Sequence, residues 1–337
     1  MGGVNGMAKG QHRLEFEVVE GWERLPEGWA FTEVAGVAVD SRERVHIFCR
    51  GTHPVVVFDT EGRFLNAWGD GIFTNPHGIY IDERDRIFLV DNFDHTVRRF
   101  DADGNLQQTI GQTGVASDTG FAREHSPVLH AGGPFNMVTN AVTDAAGDLY
   151  IADGYGNARI HKYSSAGEHL FSWGEPGGGP GQFRLPHGLA LDSAGRVYVA
   201  DRENSRVQIF SPRGELITIW DWPNRPADVF IDRADNVYVA EMMIERRDHP
   251  PHFAGWLTEP RPGHDPLGRV TVATPDGEIV ARIGGADNPT LPGNFITPHG
   301  LWVDPHGDLY VGEVTRSTRH MWGGLEPRTF QKFRRSR

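Results

Sequence analysis

Residues 185–210, LPHGLALDSAGRVYVADRENSRVQIF, contain the pattern that decides the fold. An apolar run ends at Asp192, a turn follows at Gly195, and an alternating apolar run then ends at Asp201. Short runs of apolar residues separated by Gly-containing turns are typical of antiparallel strands. The stretch therefore predicts two strands joined by a tight turn, and residues 206–210 predict a third.

The same pattern occurs six times along the chain. The apolar runs end in an Asp at six positions: Asp40, Asp82, Asp144, Asp192, Asp232 and Asp304. In five of these units an acidic residue stands nine positions later: Asp91, Asp153, Asp201, Glu241 and Glu313. We interpret these five acids as hydrogen-bonding groups of turns and blade contacts. The first unit departs from the pattern, because it has Cys49 at that distance and Arg50 directly after it.

Such self-similarity is the signature of a repeat architecture. Each unit continues into a third strand and often a fourth, as at residues 206–210 and 216–220. Four antiparallel strands cannot bury both of their faces alone, so neighbouring units must stack. The sequence therefore predicts an all-β fold, a six-bladed β-propeller built from four-stranded blades. An open β-solenoid is the alternative.

The repeat also predicts the domain organisation. We expect one propeller domain over residues 1–337, with an N-terminal arm at 1–28, a blade core at 29–315 and a C-terminal segment at 316–337 that completes the last blade. The unequal spacing of the units places long insertions near 112–135 and 242–268. Loops of this length often act as lids or binding loops.

The composition excludes several classes of protein. The chain has 337 residues and a formal net charge of −12, so its field repels nucleic acid and anionic membranes. Cys49 is the only cysteine and cannot form an internal disulfide. Residues 1–10 contain no apolar run of the kind that forms a signal-peptide core. The expectations are a cytoplasmic location, with no nucleic-acid or membrane partner; whether the protein has a protein partner cannot be read from the sequence.

Histidine alternates with small residues five positions before each terminal Asp. The six residues there are Ala35, His77, Thr139, His187, Ala227 and His299. Equivalent positions on alternate blades of a six-bladed ring are related by about 120° around the channel, so the three imidazoles should converge. Three histidines with a free fourth position are typical of catalytic zinc, and iron or another divalent transition metal also suits them. Alternatively, each Pro-His-Gly is only a turn.

Several stretches resemble peptidyl-α-hydroxyglycine α-amidating lyase, a family within the wider NHL-repeat propellers. The resemblance is carried by residues 48–53, 153–160, 185–191 and 201–210, and it extends from about residue 34 to 333 with the motifs in the same order. It implies that the family's zinc ligands correspond to His77, His187 and His299. It also implies a substrate-binding arginine at Arg50, an active-site tyrosine at Tyr155, a second channel arginine at Arg202, and calcium-binding carbonyls at Val37 and Ile79.

The sequence also departs from the family. An acidic residue that contributes to calcium binding in the family directly follows the third zinc histidine, where this chain has Gly300. This difference argues against calcium, although Asp228 and Asn140 in the same column of other blades can compensate. The family's disulfide cysteine is replaced by Gly156, which agrees with a reducing compartment.

The resemblance implies a metal-dependent lyase. The family reaction splits a carbinolamide, R-CO-NH-CH(OH)-COOH, into an amide and glyoxylate. In this scheme Tyr155 acts as the base and Arg50 binds the carboxylate of a small-molecule substrate. A smaller carbinolamide or a related α-hydroxy acid is expected, because the chain carries no oxygenase domain. The alternatives are a metal-dependent hydrolase or hydratase of the lactonase kind, and a non-catalytic NHL interaction scaffold.

Overall fold

The structure is a computed structural model that describes residues 14–122, 127–243, 267–317 and 328–336. It contains six four-stranded antiparallel sheets. The innermost strand of each sheet contacts the innermost strands of the sheets on both sides, so the sheets form a closed ring. The predicted six-bladed β-propeller is therefore confirmed, and the solenoid is excluded. No helix of the described ranges is long and apolar enough to cross a lipid bilayer.

The strands of the first three blades are numbered in chain order after β1 (Phe16–Val19), which belongs to the last blade. Blade one contains β2 (Glu33–Val39), β3 (Val45–Arg50), β4 (Val55–Phe58) and β5 (Phe64–Trp68); blade two contains β6 (Pro76–Ile81), β7 (Ile87–Asp91), β8 (Thr96–Phe100) and β9 (Leu106–Ile110); blade three contains β10 (Val138–Thr143), β11 (Leu149–Asp153), β12 (Arg159–Tyr163) and β13 (His169–Trp173).

The remaining three blades complete the ring. Blade four contains β14 (Pro186–Leu191), β15 (Val197–Asp201), β16 (Arg206–Phe210) and β17 (Leu216–Trp220); blade five contains β18 (Pro226–Ile231), β19 (Val237–Glu241), β20 (Arg269–Ala273) and β21 (Ile279–Gly284); blade six contains β22 (Pro298–Val303), β23 (Leu309–Glu313), β24 (Phe330–Arg335) and β1. Because β1 pairs antiparallel with β24, the sixth blade contains strands from near both ends of the chain, and their pairing closes the ring.

Buried aromatic residues hold neighbouring blades together. Tyr198, Tyr238 and Tyr310 are the second residues of the second strands in blades four, five and six, and all are fully buried. Tyr310, for example, packs in one cluster with Val34 and Val37 of blade one. Each tyrosine hydroxyl also donates a hydrogen bond to the terminal Asp of its own blade, as from Tyr310 to Asp304 at 3.1 Å. The tyrosine rings thus bury apolar surface between blades, while their hydroxyl groups keep hydrogen-bond partners.

The five acids at the ends of the second strands hold the chain where it enters each blade. Asp91 accepts hydrogen bonds from the backbone N–H groups of Thr74 and Asn75, and Glu313 accepts them from Ile296 and Thr297. The other three make equivalent bonds: Asp153 with Asn136, Asp201 with Arg184, and Glu241 with Asn224. The interpretation of these acids as hydrogen-bonding groups is confirmed.

Candidate metal centre

Three histidines meet in the central channel. His77, His187 and His299 are the second residues of the innermost strands β6, β14 and β22, and all three are buried. Their ring centroids are 4.7 to 4.8 Å apart, and one nitrogen of each ring lies within 4.8 Å of the others. The six-fold repeat predicts this meeting point, because the three strands belong to alternate blades.

The Pro-His-Gly sequences are strand residues, so the turn interpretation is wrong. Each sequence begins an innermost strand at Pro76, Pro186 or Pro298. The glycine is required because the next blade lies very close: a Cβ at Gly78 would stand 2.8 Å from the carbonyl oxygen of Thr139, and one at Gly300 would stand 2.6 Å from that of Ala35. The motif therefore brings each histidine against the backbone of the following blade.

That backbone determines how each imidazole is protonated. Nδ1 of His77 lies 2.7 Å from the carbonyl oxygen of Thr139, that of His187 lies 2.5 Å from the oxygen of Ala227, and that of His299 lies 2.7 Å from the oxygen of Ala35. A carbonyl oxygen only accepts hydrogen bonds, so each Nδ1 carries the hydrogen. Each Nε2 then keeps its lone pair and is the ring atom available to a metal ion.

The imidazoles stay neutral over the physiological pH range. Burial lowers the pKa of His299 to about 3, with a further contribution from the nearby positive charge of Arg50. Burial also lowers the pKa of His77 and His187 well below the ordinary value; the nearby charge of Arg202 acts in the same direction on both, and that of Arg50 acts on His77. Neutral imidazole is the form that binds metal ions, so the site needs little proton release to accept one.

The donor set fits a transition-metal ion. Nε2 of His299 is buried and finds no hydrogen-bond partner among the described residues, which is costly for a lone pair unless a ligand occupies the channel. A cavity of about 20 Å³ adjoins the three histidines and is large enough for a single ion or water. The buried group can therefore hold a metal ion. Three imidazoles do not distinguish zinc from iron or another divalent transition metal.

Tyr155 extends the site above the histidines. It lies in the connection after β11, and its phenol oxygen is 3.2 Å from Nε2 of His77 and 3.1 Å from Nε2 of His187. The guanidinium of Arg202 donates a hydrogen bond of 3.2 Å to the same oxygen and lies over the tyrosine ring. Two of the residues assigned through the resemblance thus meet at one oxygen atom beside the proposed metal ligands.

Arg202 is itself held by residues that the sequence analysis did not identify. Arg202 begins a short 3-10 helix, and its Nε donates to the carboxylate of Glu203 at 2.8 Å. Glu203 is fully buried and also accepts hydrogen bonds from Arg225, which directly precedes β18 on blade five. One carboxylate thus binds two buried guanidinium groups, of which Arg202 also contacts Tyr155. A charged residue directly before an innermost strand, as at Arg225, was the available signal in the sequence.

Arg50 lies one residue beyond the position that acids fill in the other blades, which in blade one is occupied by Cys49 opposite Val34. It pairs in register with Glu33 and forms a salt bridge of 2.9 Å with it. Its Nε donates to the carbonyl oxygen of Pro76, which directly precedes His77. Nη1 also donates to the hydroxyl of Ser317, so within the described ranges Nη2 is the nitrogen left for a ligand.

The channel below the histidines is closed by hydrogen bonds. Asn140 of blade three donates from Nδ2 to the carboxylate of Asp228 on blade five at 3.1 Å, and the backbone N–H of Leu301 on blade six donates to the same carboxylate. Val37 and Ile79 line this layer together with Asn140 and Asp228. Asp228 thus lies on the blade next to that of Gly300, and its carboxylate already accepts hydrogen bonds from Asn140 and Leu301. Calcium at Val37 and Ile79 stays a prediction.

Comparisons with known proteins agree with this architecture. The NHL repeat family model matches residues 183–210, which lie in blade four. NHL repeat-containing protein 3 from Homo sapiens is 36% identical to the chain, with 90% of the chain and 82% of the human protein covered. Peptidyl-alpha-hydroxyglycine alpha-amidating lyase 1 from Drosophila melanogaster is 38% identical, but over only 24% of the chain and 16% of the fly protein.

A solved structure shows the same fold at low sequence identity. The gluconolactonase XC5397 from Xanthomonas campestris superposes with a TM-score of 0.61 over 96% of the chain and 91% of that protein, at 13% identity. The superposition supports the propeller fold, and sequence identity at this level carries no information about the reaction.

Proposed function

Because the chain belongs to the NHL repeat-containing protein 3 family, whose name states a repeat and no reaction, we propose its function from the channel: a metal-dependent lyase that cleaves the C–N bond of a carboxylate-bearing carbinolamide. One observation carries the proposal. The phenol oxygen of Tyr155 lies within 3.2 Å of two histidine Nε2 atoms and of Arg202. A substrate hydroxyl placed at the histidines would therefore contact the phenol oxygen as well.

The metal ion and the protein supply different parts of the chemistry. A bound zinc or other divalent transition-metal ion supplies a Lewis acid, which lowers the pKa of a substrate hydroxyl. Tyr155 accepts the hydroxyl proton on its phenol oxygen, and the guanidinium of Arg202, which donates to that oxygen, stabilises negative charge there. As the hydroxyl oxygen becomes the carbonyl of glyoxylate, the C–N bond breaks and Tyr155 returns the proton to the departing amide nitrogen. The reaction therefore needs no oxidant and no water.

Arg50 orients the substrate in this proposal. Its Nη2 donates no hydrogen bond to the described residues. Nε and Nη1 are fixed by hydrogen bonds to Pro76, Glu33 and Ser317. A fixed guanidinium binds a carboxylate with little loss of side-chain entropy, and it holds the scissile bond in one orientation. The buried Arg202 adds positive charge on the opposite blade. We therefore propose a small-molecule substrate with a carboxylate next to the reacting carbon.

Removing one oxygen atom tests the proposal. Tyr155→Phe is expected to lower kcat on N-acetyl-α-hydroxyglycine by about a hundredfold or more, because it removes the proton acceptor. Metal content by elemental analysis should stay unchanged, since the phenol is not needed to hold the ion. Tyr163→Phe is the matched control: Tyr163 lies on β12 outside the channel, and its loss of a hydroxyl should leave glyoxylate release intact.

The alternatives make different predictions. A lactonase-like hydrolase or hydratase would retain the metal and its dependence on His77, but would consume a lactone or an alkene and release no glyoxylate from the carbinolamide. A scaffold would be purified without a transition metal and would gain no activity when zinc is added. Either result would contradict the lyase proposal.

A further inference from the structure

A second cavity opens at the other end of the channel. It has a volume of about 750 Å³ and is lined by the turns that join first and second strands, around residues 39–43, 79–83, 228–234 and 301–307. This volume lies within the range typical of small-molecule sites, about 300–1,000 Å³. The hydrogen bond between Asn140 and Asp228 crosses the channel between this cavity and the histidines. The cavity is therefore separate from the proposed metal centre, and we call it the lower funnel.

One side of the lower funnel is an aromatic wall. Two positions before the terminal Asp, the innermost strands of blades two, five and six carry Tyr80, Phe230 and Trp302. The ring of Trp302 lies between the other two, with centroids 5.9 Å from Tyr80 and 4.8 Å from Phe230. All three rings are only partly buried and line the cavity. Large aromatic faces left open in a concave site indicate ligand binding, since a folded protein normally covers them.

The lower funnel is also strongly acidic. Its lining contains seven acidic side chains and two arginines: Asp40, Glu43, Asp82, Glu83, Asp228, Asp232 and Asp304, with Arg233 and Arg335. The one lining histidine, His306, is already paired with Glu43 at 3.1 Å. The excess of carboxylates would attract a cation and repel an anion.

The charge is least compensated on blades five and six, which carry Phe230 and Trp302 of the aromatic wall. Asp40 and Asp82 on blades one and two each bind an arginine four residues later, at 2.6 Å. The corresponding positions on blades five and six are Asn236 and Asp308. Within the described part of the chain, Asp232 accepts hydrogen bonds from amide, hydroxyl and backbone donors, and Asp304 accepts them from hydroxyl and backbone donors; neither forms a salt bridge. Carboxylates without a counter-ion therefore adjoin Phe230 and Trp302.

We propose that the lower funnel binds a small organic cation with an apolar body, such as a quaternary ammonium compound. The aromatic wall supplies ring faces that attract a cation and cover its methyl groups. Asp232 and Asp304 supply the negative charge that the fold leaves uncompensated. The two features together select a ligand that is both apolar and positively charged. A purely apolar ligand would use only the wall, and a hydrated metal ion would use only the carboxylates.

A pair of isosteres tests this inference on the wild-type protein. Choline and 3,3-dimethyl-1-butanol have the same shape, but only choline is charged. Titration calorimetry should show choline binding at least about tenfold more tightly than the neutral isostere, and added salt should weaken it. In NMR spectra, the indole N–H signal of Trp302 should shift with choline. Equal binding of the two compounds, no binding of either, or a shift confined to residues around Tyr155 would overturn the proposal.

Variants locate the site. Trp302→Leu is expected to weaken choline binding about tenfold, because it removes the ring between Tyr80 and Phe230. Trp68→Leu is the matched control, since Trp68 lies on β5 and packs against Phe100, outside the funnel lining. If Trp302→Leu does not fold, Asp304→Asn provides the same test through charge, and an unchanged affinity in that variant would contradict the proposal. None of these measurements depends on lyase activity.

Discussion

Alternate blades use the same strand position for two different purposes. In blades two, four and six the position holds a histidine, whose Nε2 faces the channel centre. In blades one, three and five it holds Ala35, Thr139 or Ala227, whose backbone carbonyl accepts the Nδ1 hydrogen of the neighbouring histidine. The even blades thus supply ligand atoms, and the odd blades orient them. A metal site of this kind depends on the side chain in one half of the ring and on the backbone in the other half.

The largest expected effect comes from removing an even-blade side chain. His187→Ala should lower the affinity for zinc by more than about a hundredfold, which exceeds the range typical of losing an orienting partner. The site would lose one of its three nitrogen ligands. The affinity can be measured by competition with a chelator of known strength. His169→Ala is the matched control, because His169 lies on β13 outside the channel. Similar zinc affinity in both variants would show that the channel histidines do not bind the metal.

The second prediction concerns an odd-blade side chain and pH. Burial raises the pKa of Asp228 to about 7, although backbone N–H groups and Asn140 donate to its carboxylate. A raised carboxyl pKa favours the protonated folded state, so this contribution to stability is complete below pH 4 and is lost as the pH rises towards 7. Between pH 5 and 8.5 the wild type should therefore lose roughly 2–3 kcal/mol through this group.

Asp228→Asn should remove that pH dependence. Urea denaturation at pH 5, 7 and 8.5 measures it, and the exposed Asp103→Asn is the control that should behave like the wild type. Running both series with calcium and with a calcium chelator adds a second arm. If calcium stabilises the wild type but not Asp228→Asn, then Asp228 is a calcium ligand and the explanation from burial alone is wrong.

The close approach between even and odd blades can be tested at Gly188. A Cβ added there would stand 2.6 Å from Cα of Asp228 and 2.9 Å from the carbonyl oxygen of Ala227. Gly188→Ala should destabilise the fold by about 1–3 kcal/mol, because backbone atoms must move. It should also weaken zinc binding about tenfold to a hundredfold, since His187 loses its orienting carbonyl.

Thermal unfolding and zinc competition measure the two effects. Gly51→Ala is the control, because its added Cβ would find its nearest neighbour 3.6 Å away at Thr32. A Gly188→Ala protein as stable as this control would show that the blades can separate without cost.

The metal ligands of the even blades could be predicted from the sequence, whereas the orienting carbonyls of the odd blades could not. The strand period and the terminal Asp residues predicted six blades, and the same register placed His77, His187 and His299 at one height. The orienting carbonyls could not be predicted, because every residue has one and only the approach of two blades selects which is used. The small size of Ala35 and Ala227 was the indirect signal, since a larger side chain at either position would hold the blades apart.

Contacts between distant segments were also beyond prediction. Arg50 stands ten residues after Asp40, so the nine-residue rule of the other blades did not place it in the acid column. The strand register likewise places Cys49 in that column and Arg50 one residue further, opposite Glu33, which also accepts the backbone N–H of Ser317. Similarly, Glu203 and Arg225 meet only because blades four and five pack together. Local patterns carry no information on such pairs.

The smallest expected effect concerns Thr139, an odd-blade position at which the roles of the side chain and of the backbone can be tested separately. The hydroxyl of Thr139 lies 3.0 Å from the carbonyl oxygens of Ala152 and Pro186 and donates its single hydrogen to one of them. Thr139→Ala should therefore cost about 1 kcal/mol of stability, measured by urea denaturation, because one buried hydrogen bond is lost. Zinc affinity should stay within about twofold of the wild type, because the carbonyl that orients His77 belongs to the backbone and remains. If zinc binding instead weakens tenfold, the threonine side chain takes part in orienting His77, and the division between even-blade side chains and odd-blade backbone does not hold.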